Sequence, residues 1–278
     1  MWQTVLHLRF PFVYVLAPIF VWGVAWGPGG WTARTTLGFL LVHLALYPGS
    51  NAYNSAIDRD TGPIGGLARP PAVPDGLRRW SVWLQAAGAA LAVVVGNAFA
   101  LAYAAVWAMS TAYSHPRTRW KRHPAASTAA VVVGQGGIGF LLGWTAAGPG
   151  GARAGLGAWD RADGWALLAA CALVAALYPL TQIYQLDADR ARRDRTLAAA
   201  LGARGTFAWG AGCLALAAGA LAALGSTRLA AFAAGSAAAA TVAAARWPRG
   251  KAPSHRTVMR VAYVTSTVFL VALAVGLA

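Results

Sequence analysis

Two short polar stretches interrupt an otherwise apolar chain, and they contain the residue types that bind metal ions. The first, at 47–67, reads YPGSNAYNSAIDRDTGPIGGL and combines two asparagines with two aspartates. Asn51, Asn54 and Asp58 are spaced i, i+3 and i+7, so a helix would place them on one face. Pro48 comes one turn before these residues, and we expect it to bend that helix.

The second stretch, YPLTQIYQLDAD at 178–189, repeats the first at a constant offset of 131 residues. Each stretch alone could be a polar helix end that faces water, because amides and aspartates favour helix termini and turns. The shared register favours an internal duplication with two facing polar sites. The matched pairs are Tyr47 and Tyr178, Pro48 and Pro179, Asn51 and Gln182, Tyr53 and Tyr184, Asn54 and Gln185, and Asp58 and Asp189.

The two stretches together carry four carboxylates: Asp58, Asp60, Asp187 and Asp189. Carboxylates clustered without His or Cys suit Mg²⁺ better than zinc. Mg²⁺ usually bridges one or two carboxylates to substrate phosphates, and four like charges near a bilayer repel one another unless cations neutralise them. We therefore predict a diphosphate held between two aspartate stretches loaded with Mg²⁺.

A basic loop supplies the complementary charge. The segment YSHPRTRWKRHP at 113–124 carries four cations within six residues, at Arg117, Arg119, Lys121 and Arg122. Any one of them is explained by the usual excess of cations on the cytoplasmic face of a membrane protein. As a cluster they could clamp the diphosphate oxygens and stabilise the diphosphate as it leaves. Arg59 and Arg190 each directly follow a matched aspartate and extend the same site.

These observations give a set of candidate site residues. The candidate catalytic residues are Asp58, Asp189, Lys121 and Arg59. The candidate substrate-binding residues are Asn51, Asn54, Arg59, Tyr113, Arg117, Arg119, Lys121, Arg122, Gln182, Gln185 and Arg190.

The composition indicates that membrane-spanning helices position these side chains. Of 278 residues, 58% are hydrophobic and only 11% are charged, which is typical of a polytopic membrane protein. The net charge of +15 does not indicate nucleic-acid binding, because a soluble basic domain would not carry so many long apolar runs. We predict an all-α bundle of nine spans, near 10–27, 34–57, 80–96, 98–114, 125–147, 164–186, 206–224, 228–245 and 258–277.

The basic residues then predict the orientation. Of the 23 Lys and Arg residues, 19 fall on one side of this topology, the side that carries the N-terminus and both polar stretches. The positive-inside rule makes that side cytoplasmic and places the C-terminus outside. We expect one multi-pass domain in the inner (plasma) membrane, with a first helix at 10–27 and repeat halves near 34–147 and 164–277.

The motifs resemble those of the UbiA-type intramembrane prenyltransferase superfamily, commonly written NDxxDxxxD and DxxxD. NSAIDRDTG at 54–62 matches at Asn54 and Asp58 and departs at Ser55 and Gly62. In the second motif, Gln185 stands where the first aspartate is expected. YSHPRTRWKR resembles the Tyr-Ser and Lys-Arg loop that follows the fourth helix in this family.

This resemblance implies nine helices around a central cavity and transfer of an isoprenyl group from its diphosphate to an acceptor, most often aromatic or a quinone precursor. Tyr53, Tyr113 and Tyr184, by their places in the motifs and the basic loop, are the tyrosines best placed to face the developing carbocation. A terpene cyclase on the same fold is an alternative, and a membrane transporter or lipid-binding protein is an alternative from another class. The implied Mg²⁺ ligands are Asn54, Asp58, Asp60, Asp187 and Asp189.

Overall fold

The computed structural model describes residues 2–148, 159–186, 189 and 195–277. Over these residues the chain is helical, and its only β pairing is an isolated bridge between Ile64 and Leu67. Within these described ranges, nine long helical segments overlap the nine predicted spans. Six of them, among the described residues, are long and apolar enough to cross a membrane: Trp2–Trp26, Pro124–Ala147, Arg161–Gln185, Leu197–Ala223, Thr227–Arg246 and His255–Val275.

The helices are given in their order along the chain. They are α1 Trp2–Trp26, α2 (Ala33–Leu41, then Val42–Leu46 and Tyr47–Asp58), α3 Leu77–Val95, α4 Asn97–Ser114, α5 Pro124–Ala147, α6 Arg161–Gln185, α7 Leu197–Ala223, α8 Thr227–Arg246 and α9 His255–Leu277.

The chain divides into two compact units, and the division falls inside α5. The first unit runs to Arg119 and includes Ile138–Trp159. The second unit contains Trp120–Gly137 and the chain from Asp160 to Gly276. The first unit therefore holds α1 to α4 with the second half of α5, and the second unit holds the first half of α5 with α6 to α9.

Glycines bring α1 and the second half of α5 into backbone contact within the first unit. A Cβ atom on Gly23 would lie 2.9 Å from the Trp144 amide nitrogen and closer still to the Phe140 carbonyl oxygen. A Cβ atom on Gly143 would meet the Phe20 carbonyl in the same way. Small residues permit such close packing of membrane helices. The core beside this contact consists of Phe20, Val24, Leu46, Val95, Phe99, Tyr103, Leu142 and their buried neighbours.

Just before Pro48, where a bend was predicted, the helix departs from α-helical geometry. Residues Val42–Leu46 make a π-helical turn directly before it, and the Tyr47 amide bonds to the carbonyl of Val42 five residues back. Tyr47–Asp58 then continues as a regular α-helix. A wide turn accommodates the proline because a proline has no amide hydrogen to complete an α-helical ladder.

The predicted turn between the third and fourth spans is confirmed at Gly96. This residue has φ 148° and ψ 158°, which ends α3 at Val95 and allows α4 to begin at Asn97. Only glycine adopts this backbone conformation readily.

Two helices begin earlier than the sequence predicted. Helix α7 starts at Leu197 rather than near 206, because Gly202 (φ 64°, ψ −178°) joins a short leading helix to the long one. Helix α1 starts at Trp2 rather than near 10, because Arg9 takes a left-handed conformation (φ 53°) between two helical pieces. The charge of Arg9 had ended the apolar run used to predict the span.

The second unit is built mainly from small residues. Alanines dominate the buried faces of α6 and α7, and Trp209 of α7 donates its indole hydrogen to the Ala175 carbonyl (2.9 Å). Gly136 of α5 lies against the backbone of Cys171 in α6, where a Cβ would be 2.9 Å from the Cys171 Cα. These close helix contacts support the segments that carry the second motif.

Candidate active site

The first aspartate motif lies on the last turns of α2, as predicted. Asn51, Asn54 and Asp58 share one helix face and are each partly buried. The Asp58 side chain is only 7% exposed, and its Oδ1 lies 3.8 Å from the Arg119 guanidinium. The helix ends at once because Arg59 is left-handed (φ 50°), and its amide bonds back to the Ser55 carbonyl.

The basic loop reaches this motif through Arg119, which belongs to the same unit. Arg119 also has a left-handed backbone (φ 37°), and its amide bonds to the His115 carbonyl at 2.8 Å. Within the loop Arg117 is exposed, whereas Arg119 is partly buried. The loop therefore presents Arg119 to Asp58, while Arg117 is exposed.

The Asn54 amide is held by the end of α4. Its Nδ2 donates to the Ser114 hydroxyl at 2.9 Å, and Ser114 is 1% exposed. The neighbouring Tyr113 is partly buried. Asn51 turns toward α1, where its Nδ2 donates to the Leu8 carbonyl at 3.4 Å.

Arg9 is a buried cation near the first motif that the sequence analysis did not select. It is 6% exposed, and its Nη2 donates to the backbone carbonyl of Asn51 at 3.0 Å. The Arg9 guanidinium also lies over the Phe12 ring, 5.9 Å from its centroid. The available signal was an arginine inside an apolar segment, since ionisable residues within membrane spans are functional candidates.

Three residues near the first motif have a left-handed backbone conformation. Among the described residues, the non-glycine positions with positive φ are Arg9, Arg59 and Arg119, which are all arginines and all in the first unit. Left-handed conformations are unfavourable for residues with a side chain, and they concentrate at functional sites where the surroundings enforce them.

The second motif folds differently from the first. After Leu177 the helix tightens into two 3₁₀ turns, Pro179–Thr181 and Ile183–Gln185. Gln182 is 6% exposed and donates from Nε2 to the Tyr178 hydroxyl oxygen at 2.7 Å. Both matched prolines therefore accompany a departure from α-helical geometry, but Pro48 begins an α-helix whereas Pro179 begins a 3₁₀ turn.

Asp189 is 3% exposed and accepts a hydrogen bond from the Thr196 hydroxyl at 3.1 Å. Thr196 also caps α7 by accepting the Ala199 amide at 3.2 Å. Thr196 thus holds Asp189 against the start of α7.

Other predicted residues lie in the same second unit. Lys121 is 7% exposed, and Arg122 is exposed at its side chain, with its carbonyl accepting the Arg195 amide at 3.3 Å. Gln185 is partly buried, and the neighbouring Tyr184 packs edge-on against His255 with ring centroids 4.8 Å apart.

The structure therefore places the predicted residues in two groups. The first unit holds Asn51, Asn54, Asp58, Arg59, Asp60, Tyr113, Arg117 and Arg119, and the second holds Lys121, Arg122, Gln182, Gln185 and Asp189. Asp187 and Arg190 lie outside the described residues.

The donor set suits a hard cation that is shared with a phosphate ligand. Among the described residues no three His, Cys, Asp or Glu side chains gather as a closed metal cage. The first unit offers the oxygens of Asn54 and Asp58 beside the cationic Arg119. Few protein oxygens, with the remaining positions left to phosphate and water, fit Mg²⁺.

Comparisons with known proteins agree with this architecture. A sequence profile of the UbiA prenyltransferase family matches residues 15–276. A UbiA homologue from Archaeoglobus fulgidus bound to GPP and Mg²⁺ has a TM-score of 0.70 at 17% identity, over 98% of both chains. The same homologue bound to Cd²⁺ gives a TM-score of 0.70 at 16% identity, over 97% of both chains.

A structure described as digeranylgeranylglyceryl phosphate synthase has a TM-score of 0.63 at 14% identity, covering 100% of this chain and 99% of that one. At these identities the structural likeness shows the fold. The comparison with curated protein sequences found no significant match. The profile match covers most of the chain, so this multi-pass membrane protein belongs to the UbiA prenyltransferase family.

Proposed function

We propose that this protein transfers an isoprenyl group from an isoprenyl diphosphate to a small acceptor, aromatic or a quinone precursor, and releases pyrophosphate. The observation that carries the proposal is the first motif itself. In a chain of this family, a nearly buried Asp58 lies beside Asn54 on one helix face and 3.8 Å from Arg119. Oxygen ligands with an adjacent cation are what a metal-bound diphosphate requires.

In this proposal Asn54, Asp58 and Asp60 hold Mg²⁺ in the first motif, and Asp187 and Asp189 do so in the second. Bound Mg²⁺ would neutralise the diphosphate charge and make it a better leaving group. Arg119, beside Asp58 in the first unit, contacts the phosphate oxygens and stabilises the charge that develops there.

The proposed reaction is a substitution at C1 of the isoprenyl diphosphate. The bond between the allylic carbon C1 and the diphosphate oxygen breaks, and its electron pair leaves on that oxygen. The acceptor carbon supplies the pair for a new bond to C1, and that carbon then loses one proton. A water-excluding site protects the allylic cation during these steps, and Tyr113 is the candidate aromatic contact for it.

We further propose that the N-terminus and both motifs face the cytoplasm, in the inner (plasma) membrane. The loop that joins α8 to α9 supports this orientation, because its cations are exposed and it contains no carboxylate. A cysteine introduced at Ser254, in that loop, should react with an impermeant maleimide only in inside-out vesicles. Labelling in right-side-out vesicles would reverse the orientation. The exposed cations are Arg249 and Lys251 in the loop itself, with Arg246, Arg256 and Arg260 on the adjoining turns of α8 and α9.

The function is tested on the purified full-length protein in detergent. Geranyl, farnesyl and geranylgeranyl diphosphates are offered with Mg²⁺ or EDTA, each with a panel of hydroxybenzoates and quinone precursors. A prenylglyceryl phosphate is included because one structural relative is named for such a product. Released pyrophosphate and product mass are measured.

Asp58→Ala and Asp189→Ala should abolish Mg²⁺-dependent release, whereas Asp75→Ala, which removes an exposed carboxylate outside both motifs, should not. Release without any acceptor, giving hydrocarbon or alcohol, would instead indicate a cyclase. No binding of metal and diphosphate by folded protein would refute the proposal.

A further inference from the structure

A polar ladder joins α2 to α4 inside the first unit. Its lower rung connects Ser50 Oγ to Ser110 Oγ at 2.9 Å, and its upper rung connects Asn54 Nδ2 to Ser114 Oγ at 2.9 Å. Both pairs are 60 residues apart, and the rungs are four residues apart on each helix. The two helices therefore run parallel here, and the rungs are about one helical turn apart.

The lower rung is a structural anchor. The Ser50 hydroxyl also lies 3.1 Å from Gln85 Oε1, and the Gln85 Nε2 donates to the Ser81 carbonyl at 3.1 Å. Gln85 is fully buried in α3. Three helices are thus tied together by hydrogen bonds between polar groups that would otherwise be costly to bury.

The upper rung differs because it ends on a candidate metal ligand. An amide side chain has its oxygen on one side and its nitrogen on the other. Since the Asn54 nitrogen donates to Ser114, the Asn54 Oδ1 lies on the other side of the amide from that hydrogen bond. Asn54 and Asp58 are one turn apart on the same helix face, which lets this oxygen and the carboxylate approach one ion.

Ser114 also connects the motif to the basic loop. It is the last residue of α4, and Arg119, the partner of Asp58, follows five residues later. A hydrogen bond at Ser114 therefore fixes both the Asn54 amide and the point from which the basic loop departs.

We propose that Ser114 is a positioning residue for the divalent cation. By accepting the amide hydrogen of Asn54, it aims the Asn54 oxygen at the ion that Asp58 binds. The inference rests on the proposed function, because it requires a cation and a diphosphate at the first motif. Loss of a residue that orients a metal ligand typically weakens metal binding about 10–100-fold.

The experiment measures Mn²⁺ binding by electron paramagnetic resonance, with geranyl diphosphate present, on the full-length protein in detergent. Ser114→Ala should raise the Mn²⁺ dissociation constant at least about tenfold. Ser114→Thr keeps the hydroxyl and should restore binding. The matched control is Ser110→Ala, which removes the lower rung on the same helix; it should lower thermal stability and leave the Mn²⁺ dissociation constant within about twofold, on the same argument.

A double-mutant cycle tests whether Ser114 acts through Asn54. Ser114→Ala should have no further effect on Mn²⁺ binding when added to Asn54→Ala, because the orienting hydrogen bond no longer has a donor. Equal weakening in both backgrounds would overturn the inference.

Two further outcomes separate this inference from the proposed function. If the wild-type protein binds Mn²⁺ and the diphosphate, and Ser114→Ala binds them equally well, the role of Ser114 is refuted while the proposed function stands. If the folded wild-type protein binds neither, the proposed function and this inference both fail.

Discussion

Replacing Gly23 by alanine tests the close helix contact that supports the first unit. The added methyl would lie 2.9 Å from the Trp144 amide nitrogen, and closer to the Phe140 carbonyl oxygen, where ordinary contacts are 3.4–4 Å. Both neighbours are backbone atoms, so α1 and α5 must separate by about 1 Å or more to relieve the tighter contact, with the Phe140 carbonyl oxygen.

The expected magnitude follows from two opposing terms. Overpacking typically costs about 1–3 kcal/mol, and rigid backbone neighbours favour the upper part of that range. Alanine recovers about 1 kcal/mol of helix propensity relative to glycine. We therefore expect Gly23→Ala to destabilise the protein by about 1–2 kcal/mol, which lowers the apparent melting temperature by roughly 2–8 °C.

The assay is thermal unfolding in detergent at one fixed scan rate, because unfolding of such proteins is commonly irreversible. Gly212→Ala is the matched control, since this glycine is exposed in α7 and a Cβ there would have no neighbour within 4 Å. It should raise the melting temperature slightly. Gly143→Ala opens the same helix contact as Gly23→Ala, so the double variant should cost less than the sum of the two.

The opposite sign would refute this reasoning. If Gly23→Ala and Gly212→Ala both raise the melting temperature, the backbones of α1 and α5 are not in close contact. If Gly23→Ala and Gly143→Ala lower it additively, they do not disturb one shared contact.

Three further substitutions test the ion pair at the first motif, the hydrogen bonds of Thr196 at the second motif, and the kink in α7. Arg119→Ala should tighten binding of Mn²⁺ alone, measured by metal titration, because it removes the cation beside Asp58. The same variant should lower turnover about 100-fold in steady-state kinetics, because the leaving diphosphate loses a charged donor. Thr196→Val removes the α7 cap and the hydrogen bond to Asp189, and should cost about 1–2 kcal/mol in thermal unfolding. Gly202→Ala should cost about 1–3 kcal/mol in the same assay, because φ 64° with ψ −178° is a conformation reserved for glycine.

Matched control variants separate these effects from a general loss of metal binding or thermal stability. Arg79→Ala removes an exposed arginine of the first unit and should leave Mn²⁺ binding unchanged. Thr196→Ser retains both hydrogen bonds and should unfold near the wild-type temperature. If Arg119→Ala binds Mn²⁺ alone more weakly, Arg119 and the metal ion do not compete for Asp58. If Gly202→Ala is as stable as Gly212→Ala, α7 has no kink at Gly202.

The sequence by itself determined the features that depend on local spacing. The i, i+3, i+7 arrangement of Asn51, Asn54 and Asp58 sufficed to predict their shared face, because helix periodicity acts over neighbouring turns. The turn at Gly96 followed from span length and from the conformational freedom of glycine. The family followed from ordered motifs, and the profile match over residues 15–276 confirms it.

The two matched motifs differ in backbone geometry, although their sequences correspond. The paired register predicts two alike sites, yet one motif continues as an α-helix after its proline and the other tightens into 3₁₀ turns. Local propensity favours an α-helix more in the second stretch, which has Leu180 and Gln185 where the first has Gly49 and Asn54, so packing against different neighbours decides between these geometries.

Only the tertiary structure revealed which distant residues support the motif. Arg9 bonds to Asn51 across 42 residues, and Ser114 bonds to Asn54 across 60. Neither separation reflects a helix period; both depend on which helices pack together and at what register. The physical reason is that a helix repeat specifies the face on which a side chain lies, whereas the partner on that face is chosen by close packing between helices distant in the chain.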